Sequence, residues 1–158
     1  MNIAKTKMRP IRLAASEKRN VRTQFGALCY RVQNDKVQVL LITSRGTGRW
    51  IIPKGWPIGG ATPAEAALQE AWEEAGVDGK VQGNSLGIYS YVKQDDGEHL
   101  PCVVAVFAVK VRGLKTKFPE VDQRTRKWFS CKKAATLLDD PELRQIVARF
   151  DPRLLPRG

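Results

Sequence analysis

The chain has 158 residues, 42% hydrophobic and 27% charged, enough apolar surface for one packed domain and too much for a disordered chain or a disulfide-stapled miniprotein. Lys and Arg number 27 against 16 Asp and Glu, a formal net charge of +11 with His99 neutral, so polyanionic partners are expected. The longest unbroken apolar run, Cys102 to Val109, falls far short of the roughly 20 residues a membrane-spanning helix needs, and no membrane partner is expected.

Residues 1–21 read as a basic arm, in which Lys5, Lys7, Arg9, Arg12, Lys18 and Arg19 face Glu17 alone. The arm lacks the continuous apolar stretch of a secretory signal, while its Arg content also resembles a transit peptide. From there, apolar and β-branched runs predict strands at 25–32, 37–43, 49–52, 86–92 and 101–112, and a short one at 127–129. Helical patterns occupy 63–75 and 141–149, each opened by a capping residue and a proline, Thr62 with Pro63 and Asp140 with Pro141. The order of elements implies an α/β (α+β) fold, helices covering a mixed sheet, in one domain over 22–150, with 151–158 as a tail.

Cys29, Cys102 and Cys131 are odd in number and contain no C-x-x-C pair, which suits free thiols in a reducing cytoplasm. Because His99 is the only histidine, a catalytic triad or a multi-histidine metal site has little material to draw on. Carboxylates are the better candidates.

They concentrate in the 63–75 helix. Its start is specified by the Thr62/Glu65 capping box and Pro63, and its end by Gly76. Ala64, Ala67, Leu68, Ala71 and Ala75 form a narrow apolar face, with Glu70, Glu73 and Glu74 projecting away from it. Those acids repel one another at i,i+3 and i,i+4, by roughly 0.2–0.5 kcal/mol per pair. Glu73 and Glu74 also crowd the negative end of the helix dipole, at roughly 0.3–1 kcal/mol each. Residues 61–78 hold no Lys or Arg. A hard divalent cation with oxygen ligands would offset the repulsion.

Upstream, Pro53-Lys54-Gly55-Trp56-Pro57-Ile58-Gly59-Gly60-Ala61 forms a glycine-containing loop suited to close approach of a ligand. From Gly55 through Glu70, Ala71, Glu73, Glu74, Gly76 and Val77, the chain resembles the Nudix hydrolases, whose signature runs Gly, five residues, Glu, seven residues, Arg-Glu-apolar-x-Glu-Glu-x-Gly-apolar. Ala61 stands where the signature has its first Glu, and Gln69 where it has Arg. The resemblance implies an α/β/α sandwich and a pyrophosphohydrolase that uses Mg²⁺, or Mn²⁺, to drive water onto phosphorus. It assigns metal binding to Gly55 (carbonyl), Glu70, Glu73 and Glu74, with Glu73 or Glu70 as the base. Further acids at Asp95, Asp96, Glu98, Glu120 and Asp122 are candidates to assist.

The segments 25–31, TSRGTGRWIIPKGW and TRKWF are similar to the diphosphoinositol polyphosphate and dinucleoside polyphosphate branch of that family. Arg22, Arg45, Arg49 and Lys54 are the expected phosphate contacts, beside Gln24 on the first strand. Trp56 is a candidate for base stacking; Trp50 and Trp72 read as packing and His99 as surface. The expected partner is a polyanionic small molecule, with the protein a monomer or homodimer. Two alternatives stand beside this reading: a Nudix ligand sensor without turnover, suggested by Gln69, and a basic nucleic-acid-binding protein, for which no motif is present.

Overall fold

The computed structural model describes residues 21–95 and 97–156, apart from the side chains of Asp95 and Glu98. The basic arm up to residue 20, Asp96 and the side-chain roles considered for Asp95 and Glu98 lie outside the described residues. Among those described, no helix is long and apolar enough to cross a membrane.

Alternation along the strands sorts the side chains into two cores. In β1 (Arg22–Gln33), Phe25, Ala27 and Cys29 join one core while Leu28 and Tyr30 join the other. β2 (Lys36–Thr43) divides Leu40 and Ile42 from Val39 and Leu41 in the same way. The turn between them places Asn34 and Asp35 at φ 54° and 62°, a left-handed pair that joins strands by a two-residue hairpin.

Then come β3 (Trp50–Ile51), β4 (Lys54–Gly55), α1 (Pro63–Ala75), β5 (Val77–Asp95), β6 (Glu98–Leu114), β7 (Arg126–Ser130), α2 (Cys131–Leu137) and α3 (Pro141–Ala148), closed by a 3₁₀ turn at Pro152–Leu154. The sheet order is β3-β2-β1-β6-β5, with β4 on β1 and β7 on β2. β1 and β6 are parallel and the other pairs antiparallel. The alanines of α1 pack on one face of the sheet. Ala134 of α2 with Leu143 and Val147 of α3 pack on the other. This is the expected α/β/α sandwich with a mixed sheet.

α1 has the predicted bounds. Both halves of its capping box form, Glu65 N–H to Thr62 Oγ1 at 3.1 Å and Thr62 N–H to Glu65 Oε1 at 2.8 Å, and Gly76 ends it at φ +67°. Three features differ from the sequence expectation. β5 begins at Val77 rather than 86, because irregularities at Asp78/Gly79, Val81/Ser85 and Ser85/Gly87 disrupt the two-residue alternation of its first half. α2 is too short to show a helical period, and the Ser130 side chain caps it through Lys133 N–H. β4 is a two-residue strand inside the expected loop, held at Gly26↔Lys54 and Phe25↔Gly55.

Candidate active site

The pairing of β4 with β1 brings Lys54 and Gly55 up to the acidic side of α1. Glu74 was expected to project from the helix, but it is buried at 8% exposure. Its Oε1 accepts the Lys54 backbone N–H at 3.3 Å, and its Oε2 lies 3.7 Å from the Arg124 guanidinium. Arg124 in turn donates to Glu120 Oε1 at 2.9 Å and to the Thr43 carbonyl at 3.1 Å. The segment carrying Glu120 is docked onto the helix end through Glu120 N–H to the Glu73 carbonyl, 3.0 Å. Glu73 Oε2 accepts from Gln69 Nε2 at 2.8 Å, one turn back along α1.

Crowding of like charge is the electrostatic signature of this site. Burial, then the charges of Glu74 and Glu73, a hydrogen bond shared with Glu74 and the charge of Glu120 together push the Glu70 carboxyl up to about 8. Burial also raises Glu74, with Arg124 and Lys54 pulling the other way. Burial lowers the Lys54 ammonium, against the attraction of Glu74.

The residues fit a hard divalent cation. Glu70, Glu73, Glu74 and Glu120 supply only oxygen donors, the preference of Mg²⁺ and Mn²⁺. The Glu70 carboxylate lies against the Gly55 backbone so closely that a Cβ there would stand 2.5 Å from both carboxylate oxygens. Only glycine fits. Among the described residues no three acids, histidines or cysteines stand as a ready-made cage. The carboxylates are held instead by Arg124, Gln69, the Lys54 amide and one another. Gly55→Ala is expected to expel the Glu70 side chain and cost metal-dependent activity about tenfold to a hundredfold, the usual range when a metal ligand's support is disturbed. Activity titrated against Mg²⁺ checks this, and unchanged metal dependence would show that Gly55 does not set the position of Glu70.

The predicted phosphate contacts separate. Arg22 opens β1 opposite Cys102, and Lys54, Lys93 and Arg22 all act electrostatically on that cysteine. Lys54 Nζ stands 4.9 Å from the centre of the Tyr91 ring, whose hydroxyl donates to Gln24 Oε1 at 2.5 Å. Arg45 donates to Gln123 at 3.0 Å, close in sequence to Glu120, and Arg49 pairs with exposed Asp139 at 3.3 Å. Trp50 packs edge-on against Phe129, Trp72 is half-buried, and His99 and Asp122 are exposed. The sequence reading missed Arg124, Tyr91 and Lys93. The available hint for Arg124 was its place four residues after Glu120, which becomes meaningful only once that segment folds against α1.

The NUDIX domain profile matches residues 22–150 of the chain. The chain belongs to the Nudix family. Its sequence is 31% identical over 136 residues to Nudix hydrolase 13, mitochondrial, of Arabidopsis thaliana, covering 75% of this chain and 67% of that protein. It is 29% identical over 133 residues to diphosphoinositol polyphosphate phosphohydrolase 2 of Homo sapiens, covering 84% of this chain and 71% of that protein. Its fold is similar to that of the C. elegans Ap4A hydrolase, with a TM-score of 0.58 at 19% identity, over 81% of this chain and 94% of the other.

Nudix hydrolases act on pyrophosphate bonds, and the four carboxylates occupy the Nudix signature helix and the segment docked on it. The departure at position 69 takes a definite form here. Gln69 keeps a hydrogen bond to Glu73 but brings no charge, and the cation that forms ion pairs with Glu74 and Glu120 is Arg124, from the segment before β7.

Proposed function

We propose that the chain is a divalent-metal-dependent pyrophosphohydrolase of a highly phosphorylated small molecule, a dinucleoside polyphosphate or a diphosphoinositol polyphosphate. The observation that carries this reading is the convergence of Glu70, Glu73, Glu74 and Glu120 beside the side-chain-free backbone of Gly55. Mg²⁺ or Mn²⁺ held by Gly55, Glu70, Glu73 and Glu74 would neutralise phosphate charge and lower the pKa of water. The chain itself contributes orientation and proton transfer. Arg124 holds Glu74 and Glu120, and Gln69 holds Glu73, so the carboxylates reach the substrate in set positions. Glu73 and Glu70 both border the recess beside the helix, where either can take the proton of an attacking water. Arg22, Lys54 and Lys93 form a positive flank for phosphate oxygens, with Arg45 and Arg49 further out. Free thiols at Cys29, Cys102 and Cys131 favour work in a reducing compartment such as the cytoplasm.

The test is phosphate release from both substrate types, nucleoside triphosphates and nucleotide sugars, with Mg²⁺ and Mn²⁺. Release is expected for at least one of the first two and is expected to fall about a hundredfold or more in Glu74→Gln and Glu73→Gln. Full activity in both variants at saturating metal would remove the site assignment. Tight binding without release by the folded protein would identify a ligand sensor instead.

A further inference from the structure

Two lysines of the positive flank are held on aromatic rings. Lys54 Nζ stands 4.9 Å from the centre of the Tyr91 ring, and Lys93 Nζ 5.6 Å from that of Trp56. The contacts are reciprocal, since the segment at β4 gives an ammonium to β5 at Tyr91 and receives one from it at Trp56. The ion pairs among the described residues include neither lysine. A ring face attracts an ammonium through its quadrupole and carries no net charge. A carboxylate in its place would neutralise the lysine and compete with phosphate, whereas a lysine resting on a ring keeps its charge and can still donate N–H groups to phosphate oxygens.

Tyr91 is itself fixed. Its ring centre lies 6.2 Å from that of buried Tyr89, and its hydroxyl donates to Gln24 Oε1 at 2.5 Å. Gln24, expected beside the phosphate contacts, is 4% exposed, so it acts on a ligand through the tyrosine. A buried amide is costly unless hydrogen-bonded, and here the bond sets the ring under Lys54. β4 separates this arrangement from the carboxylates. Gly55 pairs with Phe25 of one core and receives the Glu70 carboxylate, while its neighbour Lys54 turns to Tyr91, which packs on the other.

We propose that Tyr91 is a positioning residue, whose ring, fixed by Gln24, holds the Lys54 ammonium toward a phosphate of the substrate, with Trp56 holding Lys93 in the same way. This rests on the pyrophosphohydrolase reading and adds to it the groups that set phosphate affinity.

Methylenebisphosphonate, whose P–C–P bridge is not an anhydride, reports phosphate binding without turnover. Calorimetry with Mg²⁺ is expected to find it bound about threefold to tenfold more weakly by Tyr91→Leu and within about twofold of wild type by Tyr91→Phe, which keeps the ring. Lys54→Gln is expected to weaken it about tenfold. Adding Tyr91→Leu to Lys54→Gln should then cost less than about twofold more, because the ring acts through the lysine. Gln24→Leu frees the hydroxyl but leaves the ring, and its smaller loss should likewise vanish in the Lys54→Gln background. Circular dichroism confirms that each variant is folded. In the release assay Tyr91→Leu should raise KM by the same factor as the loss of binding and leave kcat within about twofold.

Unchanged binding in Tyr91→Leu, losses that multiply in the double variant, or no binding of the probe by the wild type would overturn the proposal. Hydrolysis with multiplying losses keeps the hydrolase and removes the positioning role. Probe binding that follows the expected pattern, with no substrate cleaved, keeps the positioning role and removes the hydrolase.

Discussion

Glu70→Gln is expected to lose metal-dependent hydrolysis by about a hundredfold or more and, at the same time, to make the metal-free protein more stable at alkaline pH. On the proposed reading activity would fall because one of the charged ligands would be gone, and a metal ion's several kcal/mol of charge stabilisation depends on its ligand set. Each 1.36 kcal/mol, approximately, is a factor of ten in rate. The stability gain follows from the direction of the pKa shift. The folded protein holds the Glu70 proton up to about 8, well above the ordinary 4.5, while an unfolded chain releases it near the ordinary value. Stability from this group is therefore complete below about 4.5 and is lost as pH rises through about 8. Because Glu70 is only half-buried, solvent screening reduces the loss to about 2 kcal/mol. For a domain of this size that is roughly 4–8 °C in Tm.

In EDTA, the wild type is thus expected to melt lower at pH 9 than at pH 5, with Glu70→Gln showing a shallower fall. Mg²⁺ should recover the wild type at pH 9 and do much less for the variant. Wild-type activity in Glu70→Gln, or parallel melting curves across that range, would remove Glu70 from the metal site.

The second large effect concerns Arg124. Its side chain is 8% exposed and that of Glu74 10%, so the pair has exchanged water for each other, with Glu120 as a second partner at 2.9 Å. Arg124→Leu removes the ion-pair partner of both Glu120 and Glu74, leaving Glu74 only the Lys54 ammonium. Removing one partner of a buried pair costs about 3–5 kcal/mol, which corresponds to a Tm lower by roughly 6–20 °C. Three companion variants separate charge from packing. Arg124→Lys should restore part of the loss, and adding Glu74→Gln to Arg124→Leu should cost less than the two changes summed, because the uncompensated charge disappears. Glu120→Gln alone should cost less than Arg124→Leu, since Arg124 keeps Glu74. A Tm within about 2 °C of wild type for Arg124→Leu would show that the ion pairs carry no net stability.

Local chemistry wrote α1 into the chain completely. A capping box, a proline in the first turn, small apolar residues on one face and a terminal glycine all act within one helix, so its bounds and its acidic content were legible from residues 62–76. The strands with regular alternation, β1, β2 and the central part of β6, were equally plain, because a two-residue period needs no knowledge of the partner strand. The first half of β5 was hidden because its irregularities depend on the register against β6. Gly55 could be matched to a motif, but the reason for glycine, the carboxylate resting on its backbone, required both β4 and α1 in place.

The sequence by itself determined that this protein would place several carboxylates at the end of one helix, at a local cost of repulsion and an unfavourable dipole. How that cost is met was decided only by the tertiary structure. Arg124 reaches Glu74, and Arg126 donates to the Ala75 carbonyl at 2.7 Å, the cation that the last turn of α1 lacks. Both arginines come from some fifty residues downstream, brought back by the pairing of β7 with β2 and the docking of Glu120 on Glu73. Helix propensity and hydrophobic period act over one or two turns, whereas a buried charge is compensated by whichever cation the fold carries to it.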